Sequence, residues 1–335
     1  MSRNIKENII SALESNKGLF ISGEKLANEL NVSRTAVWKA VKHLKNEGYN
    51  IHSVSNKGYA LSKETDILSS KIIKNNMHKY SDKFNFLMYK TVESTNTIAR
   101  KMAINGAESC TVILAEGQTN GYGRNGKYFF SPYGTGIYMS IILNMKKEKK
   151  IFKSSLITAA AAVAVSKSIE EISNKDTQIK WVNDIFINDK KVCGILTEGA
   201  LSFEDGKLDY AVIGIGINVN FPKNGFPKEI DDIASSINAE DNIKDADIEN
   251  NIDIRNILIA KILENIYEYY FNNAVFYDEY IKRSFLIGKK VSINIDNKDY
   301  IVKVLGIDKT FALIIEFQDG KVERIISGTI NYRGL

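Results

Sequence analysis

The densest chemical signal in the chain is the run Gly117-Gln118-Thr119-Asn120-Gly121-Tyr122-Gly123-Arg124-Asn125-Gly126-Lys127. Four glycines in ten residues let backbone N–H groups point into one cavity, which is how loops bind phosphates. Arg124 and Lys127 add fixed positive charge. No Gly-Lys-Ser/Thr follows at Walker A spacing, and the helix that a dinucleotide fingerprint needs is missing. A flexible surface loop is the plain alternative; Gln118 and Arg124, set among the glycines, favour a site. The second signal is Lys180-Trp181-Val182-Asn183-Asp184, then Lys191-Val192-Cys193-Gly194-Ile195. Asn and Asp are unfavourable inside a strand. Asn183 and Asp184 therefore mark either groups that a ligand such as a metal-bound nucleotide needs, or a turn. Lys191 opens the next strand just beyond a tight Asn188-Asp189 turn. In the third signal, Gly214 and Gly216 alternate along Gly214-Ile215-Gly216-Ile217-Asn218-Val219, leaving one strand face bare for a flat ligand or for close packing. Ser94-Thr95-Asn96 is the weakest signal, since a helix cap explains it alone.

The residue types that are missing narrow the chemistry. All three histidines, His43, His52 and His78, lie in the first quarter of the chain. Ser-His-Asp catalysis and His-ligated zinc are thereby excluded from everything beyond residue 78. Cys110 and Cys193 form neither a CxxC pair nor a disulfide framework. A length of 335 residues, 44% hydrophobic and 25% charged, fits an ordinary globular protein of two to three domains. The longest apolar run, Leu156–Val165, is far short of the roughly 20 residues that span a bilayer. The N-terminus has no apolar signal-peptide core. A cytoplasmic location is expected.

Charge is uneven along the chain. Residues 1–65 carry ten Lys/Arg against six Asp/Glu, and the remainder 35 against 34. The basic segment has helical spacing at Ile5, Ile9, Ile10 and Leu13, giving a helix over 4–15. Ser22 caps a second helix. Ser33 caps a third, from Arg34 to about Glu47, with Gly48 expected just past its end. Val37, Ala40, Val41 and Leu44 form its apolar face, and Thr35, Trp38, Lys39, Lys42 and Lys45 the opposite one. A hairpin follows, turning at Asn56-Lys57-Gly58. This is the pattern of a winged helix-turn-helix whose third helix enters the major groove. Lysines alone would suit a solvated face; a tryptophan there does not. Ser33, Arg34, Thr35, Trp38, Lys39, Lys42 and Lys57 are the expected DNA contacts.

Residues 63–75 read as connecting chain. Beyond them, strands are expected at 86–89, 111–115 and 136–144, and helices at 95–104, with Ser94 as N-cap, and at 154–171. Three strands follow, at 178–188, 191–198 and 208–219, with turns at Asn188-Asp189 and Glu204-Asp205-Gly206. Residues 223–250 are polar and irregular, and an amphipathic helix covers 252–271. From Leu286 on, short alternating strands turn at Asp296-Asn297, Asp308-Lys309 and Gln318-Asp319-Gly320, suggesting a small β-barrel.

Taken in this order, the motifs resemble the bifunctional biotin protein ligase and biotin operon repressor (BirA) family over nearly the whole chain. The Gly-rich loop and Lys-Trp-x-Asn-Asp are its specific marks, and Ile326-Ser327-Gly328 a weaker one. The resemblance implies an α+β chain: a winged helix-turn-helix (1–64), a mixed α/β ligase core of the biotin/lipoate ligase type (72–283) and an SH3-like β-barrel (286–335). It implies joining of biotin to ATP, with Mg²⁺, to give biotinoyl-5′-AMP and pyrophosphate. Biotin then passes to a lysine of a biotin carboxyl carrier protein. It further implies repression at operator DNA by a homodimer formed on adenylate binding, with no membrane partner.

Carried over by motif, Ser94, Thr95 and Asn96 contact biotin, and Gln118 its ring system. Tyr122, Gly123, Arg124 and Lys127 lie on the loop that closes over biotin and the adenylate. Lys191 meets the biotin carboxylate and α-phosphate. Asn183, Asp184 and Asn218 serve the nucleotide and Mg²⁺, and Gly194 completes the set; the metal ligands themselves stay open. Lys191, Arg124 and Asp184 are the expected catalytic residues, Asp184 by orienting or deprotonating the carrier lysine. The dimer face is expected to involve the loop 117–127 and the strands around Ile141 and Ile195. The sequence departs from the family pattern at Glu93, where Asp is common, at Tyr122, where arginine is common, and at Val182, where proline is common. Two other functions fit the layout less well: a regulator that binds biotin without ligation, and a lipoate or octanoate ligase.

Overall fold

The computed structural model describes residues 2–46, 49–62, 66–146, 154–201, 208–239, 254–295 and 298–332. Gly48, the turns Glu204-Asp205-Gly206 and Asp296-Asn297, residues 240–250 of the irregular stretch and the first two residues of the expected helix at 252–271 lie outside them. The chain begins with α1 (Ser2–Glu14), α2 (Gly23–Glu29) and α3 (Arg34–Asn46), then the hairpin β1 (Ile51–Val54) and β2 (Gly58–Leu61). The capping predicted from sequence is present. Ser22 Oγ accepts from the Lys25 amide and Ser33 Oγ from the Ala36 amide, each satisfying an orphan N–H of a first turn. Ile9, Leu13, Leu26, Val37, Val41, Leu44 and Leu61 close over one another as a separate apolar core.

The central unit contains α4 (Ser70–Asn75), β3 (Asn85–Val92), α5 (Thr95–Ile104), β4 (Thr111–Gln118), β5 (Gly136–Asn144) and α6 (Ser154–Ser173). β6 (Gln178–Lys180), β7 (Asp184–Ile187), β8 (Lys190–Leu201), β9 (Leu208–Asn218), α7 (Ile254–Tyr270) and α8 (Tyr277–Arg283) complete it. Its sheet runs in the order β3-β4-β5-β9-β8-β7-β6. β3 and β4 are parallel and the other neighbours antiparallel. β5 is buried at every position, as a strand covered on both faces must be. The Ala-rich α6 packs with α7 in the large core, while Ala99 and Ala103 of α5 pack with Ile113, Ile142 and Val212.

Three segments differ from the sequence reading. Residues 70–75, read as connecting chain, form α4, which buries Ile73 in the large core. The single strand expected at 178–188 is broken by a turn at 181–183 into β6 and β7. The helix expected to be amphipathic is buried almost all round, and even Arg255 and Asn256 are fully enclosed. The C-terminal strands β10 (Lys290–Ile295), β11 (Lys298–Ile307), β12 (Leu313–Phe317), β13 (Val322–Ile325) and β14 (Thr329–Asn331) form an antiparallel sheet in the order β13-β12-β11-β10-β14. Val291, Ile293, Val304 and Leu313 of this sheet join the same core as the central unit.

Arg255 organises the junction between these parts. Its Nη1 donates to Glu116 Oε2 at 2.8 Å and to the Gly136 carbonyl at 3.2 Å. Its Nε donates to Asp66 Oδ2 at 2.9 Å, and its Nη2 to the Asp66 carbonyl. Glu116 Oε1 accepts from the Leu68 amide at 2.7 Å. Burial opposes the charge on Arg255, but Asp66 and Glu116 hold its pKa above the ordinary arginine value. Removing one member of a buried ion network leaves the others charged and unpaired. Arg255→Met is therefore expected to cost about 3–5 kcal/mol, read as a lowered urea midpoint. Adding Glu116→Gln and Asp66→Asn should recover part of the loss, and a wild-type midpoint in the single mutant would refute the role.

Candidate functional site

One cavity gathers nearly all the chemical signals of the sequence. It is lined by Ser94, Thr95, Asn96, Gln118, Tyr122, Gly123, Arg124, Lys127, Asn183, Asp184, Lys191 and Gly194, together with Gly214 and Gly216. The expected ligand residue that it leaves out is Asn218. Asn218 ends β9, and its side-chain amide donates to the Ser235 carbonyl at 3.0 Å, holding the following loop against the sheet.

The turn 181–183 explains why Asn183 and Asp184 interrupt a strand-like run. The Trp181 indole donates to the Phe311 carbonyl at 2.8 Å, and Tyr280 OH to the Val182 carbonyl at 3.2 Å. These bonds pin the turn between the C-terminal sheet and α8. Asn183 Nδ2 donates to the Ile195 carbonyl at 2.9 Å and to Asp184 Oδ1 at 3.1 Å. Lys191 then meets Asp184 Oδ1 at 2.7 Å, an ion pair across β7 and β8 that is about three-quarters shielded from solvent. Asn188 and Asp189 both have positive φ, the geometry of the tight turn that brings Lys191 back beside Asp184. Arg124 Nη1 reaches Asn183 Oδ1 at 3.4 Å. Two cations, one carboxylate and one amide thus share the end of the cavity between loop and hairpin. This arrangement suits charge developing on a phosphate.

The other end is neutral and finely hydrogen-bonded. Gln118 Oε1 accepts from the Thr95 amide at 2.8 Å, and Gln118 Nε2 donates to Ser131 Oγ at 3.0 Å. Ser94 occupies the N-cap position of α5 but makes no side-chain cap bond, so the cap reading of Ser94 fails and its hydroxyl stays with the cavity. Ser140 Oγ lies 2.6 Å from Asn96 Oδ1 and 2.8 Å from Thr95 Oγ1. The floor is bare because glycine is required there. A Cβ on Gly214 would lie 2.2 Å from Asn96 Oδ1, and one on Gly216 2.6 Å from the Phe129 ring.

The glycine-rich segment is a folded hairpin, not a loose loop. The Gly123 amide donates to the Lys127 carbonyl at 2.8 Å and the Phe129 amide to the Gly121 carbonyl at 2.9 Å. Gly121 is needed, since a Cβ there would lie 2.6 Å from Ser131 Oγ. Gly123 is not: its φ of −113° is open to any residue, and the nearest atom to an added Cβ is at 3.8 Å. Positive φ therefore cannot be the reason for glycine at 123. Ile141 and Ile195 themselves are 1% and 2% exposed and point into the core.

Sequence reasoning missed Phe129, Ser131, Ser140, Glu198 and Thr329. Phe129 and Thr329 line the cavity, the latter from the C-terminal sheet. No motif marks these residues; β-register and a returning loop bring them in. Cys193 stands beside Lys191 in sequence but faces the core, where burial pushes its thiol pKa up.

The N-terminal unit presents a second surface. Arg34, Thr35 and Trp38 line a groove between α3 and the hairpin, with Ser53, Ser55 and Asn56 opposite. Trp38 is 52% exposed, with the Lys42 ammonium 5.3 Å from its ring centroid. Lys39 and Lys57 are exposed, whereas the Ser33 hydroxyl is used in capping.

Residues 88–218 match the model of the biotin/lipoate A/B protein ligase family, and residues 6–60 match a helix-turn-helix domain model. The chain is 34% identical over 334 residues to the bifunctional ligase/repressor BirA of Bacillus subtilis (strain 168), covering 98% of this chain and 99% of that one. It is 27% identical over 323 residues to BirA of Escherichia coli (strain K12), covering 94% of each. Among solved structures, the biotin protein ligase from Aquifex aeolicus in complex with biotin and ATP superposes with a TM-score of 0.58 at 27% identity. That match covers 74% of this chain and 99% of the other.

The bare floor makes a direct prediction. Gly214→Ala must displace the buried Asn96 amide, and such overpacking costs about 1–3 kcal/mol. Urea unfolding should show that loss, and an unchanged midpoint would mean that Asn96 is free to move.

Proposed function

The chain belongs to the biotin/lipoate A/B protein ligase family, with the ligase/repressor layout of BirA, and from that premise we propose how its residues carry out both activities. It is an ATP-dependent biotin–protein ligase and a DNA-binding repressor. Biotin and ATP are its small-molecule substrates. The observation that supports the residue roles is the Lys191–Asp184 pair, 2.7 Å apart, facing Arg124 and Asn183 across one cavity.

In the first step a biotin carboxylate oxygen attacks the α-phosphorus of ATP. The bond to pyrophosphate breaks and biotinoyl-5′-AMP forms. Lys191 and Arg124 balance the negative charge that builds on the phosphate, and no histidine is needed. Among the described residues no group of three or more His, Cys, Asp and Glu side chains is placed to hold a metal ion. Asp184 and Asn183 supply the oxygen donors that suit Mg²⁺ entering with the ATP phosphates. They would hold the ion there, where it supplies further charge neutralisation. Gln118, Thr95 and Asn96, at the neutral end, hold the biotin head.

In the second step a carrier lysine attacks the acyl carbon, an amide forms and AMP leaves. That lysine is protonated near pH 7, and Asp184 takes the role of orienting it and receiving its proton. Tyr122, Gly123, Arg124 and Lys127 cover the adenylate. The carrier is a biotin carboxyl carrier protein, and the cytoplasm is the compartment that offers ATP, carrier and operator together. No described helix is long and apolar enough to cross a membrane.

On the repressor side, Arg34, Thr35, Trp38, Lys39 and Lys42 of α3, with Lys57 at the hairpin tip, contact DNA. One such small module binds a half-site weakly. Dimerisation on adenylate binding joins two modules and raises affinity through effective concentration.

Lys191→Ala is expected to slow biotin-dependent pyrophosphate release on the order of 100-fold or more; release at the wild-type rate would reject the assignment. Sedimentation and operator gel shifts should show dimer and tight binding only with biotinoyl-AMP present. Trp38→Ala should abolish the shift and leave biotinylation intact. A protein equally dimeric and equally bound in both states would rule out the ligand switch.

A further inference from the structure

Glu198 lies on β8, outside every motif that marks the site, yet three side chains from α5 and the glycine-rich hairpin converge on its carboxylate. Asn96 Nδ2, at the start of α5, donates to Glu198 Oε2 at 2.7 Å. Tyr122 OH, on the glycine-rich hairpin, donates to the same oxygen at 3.0 Å. Arg100 Nη1, one helical turn after Asn96, lies 3.9 Å from Oε1. The carboxylate side chain is 23% exposed, so these bonds are largely shielded.

An ionised carboxylate only accepts hydrogen bonds. The Asn96 amide must therefore turn its NH₂ to Glu198 and its Oδ1 to Ser140. Ser140 has a single hydroxyl proton, and Asn96 Oδ1, 2.6 Å away, can take only that proton. Ser140 Oγ is then an acceptor towards Thr95 Oγ1, 2.8 Å away. The Thr95 hydroxyl has one proton to give, to Ser140 Oγ at 2.8 Å or to Gln118 Oε1 at 3.2 Å, and either way its oxygen is left as an acceptor. Gln118 Oε1 also accepts from the Thr95 amide at 2.8 Å. The directions of the Asn96 and Ser140 bonds follow from the charge on Glu198. Burial, and then the adjoining Glu198 carboxylate, push the Tyr122 hydroxyl pKa up, while a Thr97 side-chain bond opposes them.

We propose that Glu198 is a positioning residue that sets the donor–acceptor polarity of the biotin-head subsite through Asn96, Ser140 and Thr95, and that it latches the covering hairpin through Tyr122. The proposal rests on the biotin ligase reading. A ureido ring presents N–H donors, which need the acceptor face that this polarity creates.

Steady-state kinetics and calorimetry with biotin alone test it. Glu198→Ala should raise both KM and Kd for biotin about tenfold, the loss expected when a hydrogen bond to a charged group is removed. The KM for ATP should stay within twofold and kcat should change less than the biotin KM. Glu198→Gln can still accept both bonds through its amide oxygen and should stay within about threefold of wild type. Tyr122→Phe should speed biotin dissociation, and Glu198→Ala/Tyr122→Phe should be no faster than Glu198→Ala alone. Unchanged biotin affinity in a folded Glu198→Ala protein would overturn the proposal, as would equal losses for biotin and ATP. A wild-type protein that releases no pyrophosphate would instead overturn the ligase reading, and this inference with it.

Discussion

The buried Arg255 guanidinium is the constraint on which the arrangement of the site depends. A charge taken fully out of water must be matched by partners in fixed positions. Arg255 finds them in Asp66, where the chain leaves the N-terminal unit, in Glu116 near the end of β4, and in the Gly136 carbonyl at the start of β5. Two residues after Glu116 comes Gln118, and the glycine-rich hairpin runs from there to Gly136. Both roots of the hairpin are thus tied to one side chain of α7. The hairpin is thereby anchored at both ends beside the cavity.

Within that frame the cavity is made as much by missing atoms as by present ones. Gly214 and Gly216 leave room for Asn96 and Phe129 to lie against the sheet. Polar character is divided along its length. The end near Gln118 and Thr95 is a row of neutral side chains anchored on the Glu198 carboxylate, and the end near Lys191, Asp184 and Arg124 faces the ligand with charged groups. A molecule with an uncharged polar head and a carboxylate tail fits this order, and the reacting carboxylate then falls where the cations are. The C-terminal sheet is part of the same construction. Phe311 receives the Trp181 indole, in a turn held by Asp308. Burial opposes ionisation of Asp308, yet bonds from Thr310 and Arg324 hold its carboxyl at about 2.

The DNA-binding unit has its own core, so it need not share the rigidity of the ligase. It is not wholly separate, however. Lys90 of β3 donates to the Asn46 carbonyl at the C-terminus of α3, at 2.9 Å. A cation there also complements the helix dipole. β3 leads directly into Ser94, Thr95 and Asn96. The recognition helix and the neutral end of the cavity are therefore neighbours along one strand.

What the sequence determined by itself was everything carried by local pattern. Capping serines, apolar periodicity and turn residues gave the winged helix, the exposed Trp38 face and most strands. The glycine hairpin, Lys-Trp-x-Asn-Asp and Lys191 named the family and most of the cavity lining, because short motifs keep their residue order. Tertiary structure alone decided what depends on partners distant in the chain. Arg255, on a helix that reads as amphipathic, is no different in sequence from a surface arginine until Asp66 and Glu116 are folded against it. Glu198 looks like any strand carboxylate until Asn96 and Tyr122 arrive. That Asn218 braces a loop through Ser235 is visible only in the fold. In each case the side chain has a fixed chemistry, but its burial and its partner set its role, and both come from chain segments 17 to 189 residues away.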